Sequence, residues 1–240
     1  YRDDRAAILP LATMLGVVDQ LPDLEKILFY NFGEPFLHPD AIEFLQTVRR
    51  RRPEIVLHTS TNGLAFTPEK IECIAAGALL DRIVFSIDGA TEESYRCYRV
   101  GGGLVRVLAN LEHLAEAARR HGTRDRIDIV WQYILFEWND SAAEIAAARA
   151  RAAEIGVPLR FILTHTQGAS RRLVAGAPEL RDQLGVEDPW SASTCDLRAE
   201  AIEEAGSLTA GRFSAALTPV RDGIEARPGG RFLLELSVAN

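Results

Sequence analysis

The sequence predicts an α/β protein built on a parallel β-sheet. Five apolar runs rich in β-branched and aromatic residues are typical of buried strands, and they start at Ile27, Ile55, Ile83, Ile127 and Leu159. These starts lie 28, 28, 44 and 32 residues apart, which is the length of a strand plus a crossover helix. The spacing indicates right-handed connections in either an open doubly wound sheet or a partial or complete (βα) barrel.

The first of these strands leads into a loop that presents a carboxylate. The apolar run from Lys26 stops at Gly33, which is free to adopt positive φ, and Pro35 then prevents the strand from continuing. Glu34 therefore lies at a strand tip, where it can accept hydrogen bonds from an ammonium or hydroxyl group of a ligand. A solvated Glu in an ordinary strand-to-helix turn explains the same residues equally well.

Helices are predicted before the first strand and between the later ones, from the spacing of apolar residues and from residues typical of helix ends. Thr91 and the Asn139-Asp140-Ser141 segment are the expected N-caps of two helices, and Gly156 is an expected C-cap. In order, the predicted helices contain Leu11, Met14, Leu15 and Val18; residues 40–50; Ile71, Ile74 and Ala75; Glu93 and Ser94; Val107, Leu108, Leu111 and Leu114; and residues 142–155.

The pattern changes beyond residue 168, where proline and glycine interrupt weak helical segments. Near the end of the chain, Phe232, Leu234, Leu236 and Val238 alternate with other residues as in a β-strand. We predict a (βα) core over residues 1–168, a helical extension or linker over 169–206, and the beginning of a truncated β-rich domain over 207–240.

Composition excludes some broad functions. The net charge of -7 and the pI near 5.3 argue against general nucleic-acid binding, which normally needs a basic face. No run of about 18 apolar residues occurs, so no membrane span is expected. The three cysteines, Cys73, Cys97 and Cys195, are too widely spaced for a disulfide framework or a zinc site, which favours a reducing, cytoplasmic location.

Parallel α/β folds bind ligands at the carboxyl ends of their strands, so the polar residues at those ends form the candidate site. Several such groups on one edge are a stronger signal than any one of them. They are Glu34, Ser60, Asn62, Ser86, Asp88, Gln132 and His165.

Three short motifs on successive strands carry a family resemblance. They are Asn-Phe-Gly-Glu-Pro at residues 31–35, Ser-Thr-Asn-Gly at 60–63 and Phe-Ser-Ile-Asp-Gly-Ala at 85–90, the last followed by Tyr95 and Arg99. With this order and spacing, the chain resembles the radical S-adenosylmethionine (radical SAM) superfamily over roughly residues 1–165. The resemblance implies a partial (βα) barrel whose first strand is missing from this chain.

The resemblance also implies the chemistry and the cofactors. In that family a CxxxCxxC loop holds a 4Fe-4S cluster, and the cluster reduces bound S-adenosylmethionine to a 5′-deoxyadenosyl radical that acts on an organic substrate. An electron donor such as flavodoxin or ferredoxin is the expected partner, and the substrate is unknown.

By the same resemblance, Gly33, Glu34 and Pro35 lie against the methionine amino group, with the Glu34 carboxylate able to receive its ammonium. Arg99 is the expected partner of the methionine carboxylate. Gln132 is a candidate for contact with cofactor or substrate. The residues expected along the ribose and methionine portions of the cofactor are Ser60, Asn62, Ser86 and Asp88.

Two features depart from the family pattern. Phe32 stands where many relatives have glycine, and the 240 residues contain no CxxxCxxC. Because the chain does not begin with Met, we expect the cluster loop upstream of Tyr1 and expect this fragment to be inactive alone. The alternative is a degenerate, cluster-free barrel that acts as a binding or scaffold module. A metal-free barrel lyase is disfavoured, because the strand ends lack a credible Lys or paired carboxylates.

Overall fold

The computed structural model describes residues 8–30, 33–164, 166–173 and 184. Within these ranges, one helix precedes the sheet and the later helices alternate with the strands. The strands are β1 (Lys26–Leu28), β2 (Val56–Thr61), β3 (Arg82–Ser86), β4 (Asp128–Leu135) and β5 (Leu159–Leu163). The α-helices are α1 (Leu11–Asp19), α2 (Ala41–Arg51), α3 (Pro68–Gly77), α4 (Glu92–Tyr98), α5 (Leu104–Arg120) and α6 (Ala142–Ile155), and the 3-10 helices are Pro35–Leu37 and Arg124–Arg126.

The described strands form one parallel sheet in the order β1-β2-β3-β4-β5. Each strand pairs with the next one along the chain, so that Thr59 lies opposite Ile83 and Ser86 opposite Gln132. A doubly wound sheet reverses its strand order at a switch point, whereas this order has no reversal. Right-handed crossovers then place every connecting helix on the same side of the sheet. The predicted partial (βα) barrel is confirmed, and the doubly wound alternative is wrong.

One face of the sheet carries the hydrophobic core. In β2, Leu57 and Thr59 are buried, whereas the alternating His58 and Ser60 are half-buried. The buried face and the apolar stripes of the helices form one cluster, and the other face carries polar side chains together with apolar ones such as Val84 and Val130. The largest fully buried side chains of the cluster are Trp131, Tyr95, Tyr133, Phe29, Phe36, Phe44 and Phe85.

The helix ends follow the capping residues in the sequence. The Thr91 hydroxyl accepts a hydrogen bond from the Ser94 backbone N–H at the start of α4, and Ser141 accepts one from the Glu144 N–H at the start of α6. Gly156 ends α6 with φ of +78°, a left-handed conformation that glycine adopts without strain. Helix α6 consequently spans residues 142–155, as predicted.

The first strand is shorter than the apolar run that predicts it. Regular pairing in β1 ends at Leu28, although the Phe29 N–H still donates to the His58 carbonyl at 2.7 Å. Asn31, Phe32, His165 and Cys195 lie outside the described residues, as does most of the chain beyond residue 173. The division of the chain into a core, a linker and a β-rich segment therefore stays a prediction.

Helix length bears on the membrane prediction. The longest α-helix in the described ranges is α5, with 17 residues. In that part of the chain, no helix combines the length and the apolar composition that crossing a membrane requires.

Two core tyrosines differ in whether their hydroxyl groups are satisfied. The Tyr133 hydroxyl donates to the Asn139 carbonyl at 2.9 Å and lies 3.2 Å from the Glu144 carboxylate. The Tyr95 hydroxyl is buried and has no hydrogen-bond partner among the described residues. A buried hydroxyl stabilises a fold only when it is bonded, and an unbonded one costs the free energy of its desolvation.

We therefore predict opposite outcomes for two matched substitutions. Tyr133→Phe should lower the free energy of unfolding by about 1 kcal/mol, and Tyr95→Phe should leave it unchanged or raise it. Urea denaturation of both variants beside the unsubstituted chain measures the two changes. An equal loss in both variants would contradict the prediction.

Candidate functional site

The candidate site lies at the carboxyl edge of the sheet, which is formed by the ends of β1 to β4 and the loops that follow them. The loops that matter are residues 33–37 after β1, 62–67 after β2 and 87–91 after β3. All nine residues predicted as cofactor contacts fall within the described part of the chain.

Glu34 is a buried acceptor that joins two of these loops. The residue is only 3% exposed, and its carboxylate accepts hydrogen bonds from the Thr61 hydroxyl at 2.7 Å and the Asn62 N–H at 2.7 Å. A third, longer bond comes from the Phe36 N–H at 3.3 Å. Burial raises the pKa of Glu34, and the three hydrogen bonds and the Arg99 charge oppose that rise. Glu34 is therefore not the solvated turn residue that the alternative interpretation required.

The turn after β2 is built to hold that carboxylate. The Thr61 hydroxyl accepts from the Gly63 N–H at 2.9 Å while donating to Glu34, and the Asn62 side-chain oxygen accepts from the Leu64 N–H at 2.9 Å. Gly63 has φ of +72°, and a Cβ there would lie 2.6 Å from a methyl group of Val107. Sequence reasoning assigned roles to the neighbours of Thr61 and missed Thr61 itself, although it stands within the quoted motif.

Asp88 and Arg99 form a buried ion pair. Asp88 is 0% exposed, and its Oδ2 accepts from Arg99 Nε at 2.7 Å and Nη2 at 2.6 Å. Its Oδ1 accepts from the Ile134 N–H at 2.7 Å, because β4 extends beyond its pairing with β3 at that point. Burial raises the pKa of Asp88, and the Arg99 charge is the largest influence that opposes the rise. The Arg99 side chain remains 24% exposed, so the pair has one buried and one accessible end.

Gly89 allows α4 to pack directly on the loop that carries Asp88. A Cβ at Gly89 would lie 2.4 Å from the backbone N of Tyr95, which no real side chain permits. The Asp-Gly sequence is therefore a close-packing site and not only a turn signal. It places the first turn of α4, and so Arg99 at its C-cap, at a fixed distance from Asp88.

A row of polar side chains crosses the half-buried face of the sheet at the same level. The hydroxyl groups of Ser60 and Ser86 lie 3.2 Å apart, and Ser86 is paired in register with Gln132. Ser86 is 7% and Gln132 is 9% exposed. Gln132 lies three residues before the end of β4 at Leu135, level with the end of β3. Its side-chain amide makes no hydrogen bond to any residue that the structure describes.

These contacts bring the predicted residues together in two groups. Glu34, in the loop after β1, accepts a hydrogen bond from Asn62 in the turn after β2, and Asp88 with Arg99 follows β3. The Ser60–Ser86 pair lies between the two groups on adjacent strands. The Arg99 charge acts to lower the pKa of Glu34, and it is the smallest of the influences that do so. His165 cannot be placed, because it lies outside the described residues.

Sequence reasoning missed two residues that hold this edge in place. Asn139 is 0% exposed, accepts from the Phe136 N–H at 2.7 Å, and donates to the carbonyls of Asp88 at 3.1 Å and Ile134 at 3.0 Å. Glu144, in the first turn of α6, accepts from donors on the loop after β3. In the sequence, both residues are of types that are common at the start of a helix, so nothing there indicates these long-range hydrogen bonds.

The described residues do not contain a metal site. No group of three or more His, Cys, Asp or Glu side chains in the described ranges is close enough to hold a metal ion. Cys73 is half-buried, and the exposed Cys97 donates to the Glu93 carbonyl of its own helix. Neither thiol is combined with others into a cluster-binding set.

Comparison with known proteins identifies relatives over the same region. The family model for the Radical SAM superfamily matches residues 2–130. The chain is 31% identical over 159 residues to the GTP 3′,8-cyclase of Paenarthrobacter nicotinovorans, a match covering 65% of this chain and 42% of that protein. It is 34% identical over 102 residues to the AdoMet-dependent heme synthase of Methanosarcina barkeri, covering 42% of this chain and 28% of that protein. The chain thus spans less than half the length of either relative.

Solved structures were compared in the same way. Native anSMEcpe with bound AdoMet superposes with a TM-score of 0.45 and 17% sequence identity, over 63% of this chain and 41% of that one. The family assignment comes from the sequence match, which extends over more than half of the 240 residues and includes the loops after β1, β2 and β3. This chain belongs to the radical SAM superfamily.

Proposed function

We propose that the carboxyl edge of this chain binds S-adenosylmethionine (SAM) for a radical SAM enzyme that acts on an organic substrate. The observation that carries the proposal is the Arg99 guanidinium, which is held on a buried carboxylate while its side chain stays 24% exposed, at the same edge of the sheet as the Ser60–Ser86 hydroxyl pair. It lies at the edge where (βα) folds bind ligands. Bound SAM would supply the source of the 5′-deoxyadenosyl radical.

Arg99 is the proposed partner of the methionine carboxylate. Its Nε and Nη2 donate to Asp88, while no hydrogen bond joins its Nη1 to a described residue. The Asp88 pairing fixes the plane of the guanidinium, and the Tyr98 ring lies 5.0 Å from its central carbon. A planar donor group whose orientation is already set loses little entropy on binding a carboxylate.

The loop of Gly33, Glu34 and Pro35 is the proposed site of the methionine ammonium. The Glu34 carboxylate is 3% exposed and already accepts three hydrogen bonds, whereas Gly33 in the same loop is exposed. We therefore propose that Glu34 acts mainly through its negative charge beneath the loop, and that the loop backbone offers the carbonyl acceptors.

The remaining predicted contacts differ in which side-chain donors and acceptors are not already used in hydrogen bonds within the protein. The hydroxyls of Ser60 and Ser86 can each donate and accept, which suits a ribose hydroxyl. The Asn62 oxygen is used in its own turn, so its amide N–H₂ is the available group. Both Asp88 oxygens are occupied by protein donors, so Asp88 would act through Arg99. The unbonded amide of Gln132 is proposed to face cofactor or substrate.

The family implies a 4Fe-4S cluster, and the described residues do not fit one. They contain no group of ligands for a metal, and the full sequence contains no CxxxCxxC. The organic substrate and an electron donor such as flavodoxin or ferredoxin remain proposals for the whole protein.

The Arg99 proposal predicts discrimination between SAM and its decarboxylated analogue. The unsubstituted chain should bind SAM more tightly, because a sheltered charge-assisted pair contributes about 1.5–3 kcal/mol, or roughly 10- to 100-fold in Kd. Arg99→Gln should remove this preference for SAM over the analogue, whatever the affinity of the variant for SAM itself. Calorimetric titration of both ligands measures it. Arg96→Gln, which alters an arginine of the same helix that pairs with Glu92, is the matched control and should keep the preference. Equal affinity for the two ligands in the unsubstituted chain would contradict the assignment.

The buried state of Glu34 predicts a pH dependence of stability. Because burial raises its pKa, folded Glu34 holds its proton more tightly than unfolded Glu34 does. The free energy of unfolding should therefore fall as pH rises from 4.5 through the folded pKa, and the loss should be complete above it. In Glu34→Gln this fall should be absent. The free energy of unfolding of both chains is measured by urea denaturation from about pH 4 to 8. The difference between the chains gives the contribution of Glu34, because the contribution of Asp88 is common to both and cancels. A constant difference across that range would contradict the raised pKa.

Iron analysis separates the enzyme from the cluster-free alternative. If a CxxxCxxC loop lies upstream of Tyr1, the chain extended to include it should hold about four irons after anaerobic reconstitution and should cleave SAM when dithionite is added. The 240-residue chain alone should hold none. If the extended protein holds no iron and cleaves no SAM, the binding or scaffold module is favoured instead.

A further inference from the structure

Glu144 collects three hydrogen bonds that have no part in capping its own helix. Its Oε2 accepts from the Ala90 N–H at 2.8 Å and the Ser94 hydroxyl at 2.9 Å, and its Oε1 accepts from the Thr91 hydroxyl at 2.8 Å. The Tyr133 hydroxyl, whose hydrogen is donated to the Asn139 carbonyl, also lies 3.2 Å from Oε2. In a capping box this side chain would turn back to the N-cap residue of α6. Here it reaches across to another loop.

The donors come from one segment of the carboxyl edge. Ala90, Thr91 and Ser94 belong to the loop after β3 and the first turn of α4, and the nearby Tyr133 hydroxyl belongs to β4. A carboxylate is suited to this position because it can only accept, with several lone pairs, and each neighbour can only reach it as a donor. Glu144 therefore ties the start of α6 to the segment between Asp88 and the helix that ends at Arg99.

We propose that Glu144 is a positioning residue for the Asp88–Arg99 pair. The loop after β3 is anchored on one side by Asn139, which donates to the Asp88 carbonyl, and on the other side by Glu144. Without the second anchor the loop and α4 can shift together relative to β4, whose Ile134 N–H holds Asp88 Oδ1, and the Asp88–Arg99 pair is then less well held and less shielded from water. The consequence for SAM affinity rests on the proposed function of Arg99, whereas the orientation of the pair is a property of the chain itself.

Another carboxylate in the chain provides a matched control. Glu72 on α3 accepts from Arg120 at 2.6 Å, His121 at 2.9 Å and His113 at 3.1 Å on the adjacent helix. It joins two helices by several bonds, as Glu144 joins a helix to a loop, and neither helix carries a residue of the proposed site. Glu72→Ala should lower stability without changing Arg99.

The first measurement needs no ligand. The Arg99 Nε–H, bonded to buried Asp88, should give a resolved NMR signal that exchanges slowly with water. Glu144→Ala should speed that exchange by about tenfold or more, and Glu72→Ala should leave it within about twofold. Glu144→Gln should retain slow exchange, because its carbonyl can replace Oε2 and its amide can donate to Thr91. If Glu144→Ala does not fold, Glu144→Asp, which falls one methylene short, should show the same increase in a smaller degree.

The second measurement is a double-substitution cycle on the Kd for SAM. Glu144→Ala and Arg99→Gln should each weaken binding, and the double variant should bind as weakly as Arg99→Gln alone, within about twofold. A merely structural role would make the two losses multiply. Multiplying losses, or unchanged Arg99 exchange in Glu144→Ala and Glu144→Asp, would overturn the proposal. If the unsubstituted chain does not bind SAM but the exchange results are as expected, the proposed function fails and the positioning role stands.

Discussion

The Asp88 carboxylate is removed from water, and much of the carboxyl edge depends on how its charge is compensated. An isolated buried carboxylate is so costly that it either takes up a proton or finds a cation and several donors. Asp88 takes Arg99 and the Ile134 N–H, while its carbonyl accepts from Asn139. The hydrogen bonds that Asp88 needs therefore fix the end of β4, the start of the loop after β4 and the last turn of α4.

Glu34 applies the same constraint in the loop after β1, two strands earlier. Its three acceptor bonds join the loop after β1 to the turn after β2, as Asp88 joins β3 to β4. The two carboxylates act as connections between successive strand ends, where backbone pairing of the sheet has stopped. Their positions leave the Ser60–Ser86 pair between them on the half-buried face. A ligand at this edge would meet loops that are already ordered, which lowers the entropy cost of binding.

Local patterns in the sequence were sufficient for the fold, because strand and helix periodicity and caps such as Ser141 act over a few residues. The parallel arrangement then follows from chain connectivity, and it correctly brings Ser60 beside Ser86. For the site, the sequence named candidate residues but not the partners of those residues. That Asp88 pairs with Arg99, or that Glu144 reaches a loop 50 or more residues away, depends on packing between helices that no local pattern encodes.

The close packing at Gly89 has a consequence for altering this site. Because no Cβ fits between that residue and the backbone of Tyr95, the loop after β3 and helix α4 must move as one body. The Arg99 end of the site therefore has little freedom to adapt to a differently shaped ligand. Redesign of ligand preference should begin at Ser60, Ser86 and Gln132, whose side chains lie on the face of the sheet opposite the main hydrophobic core.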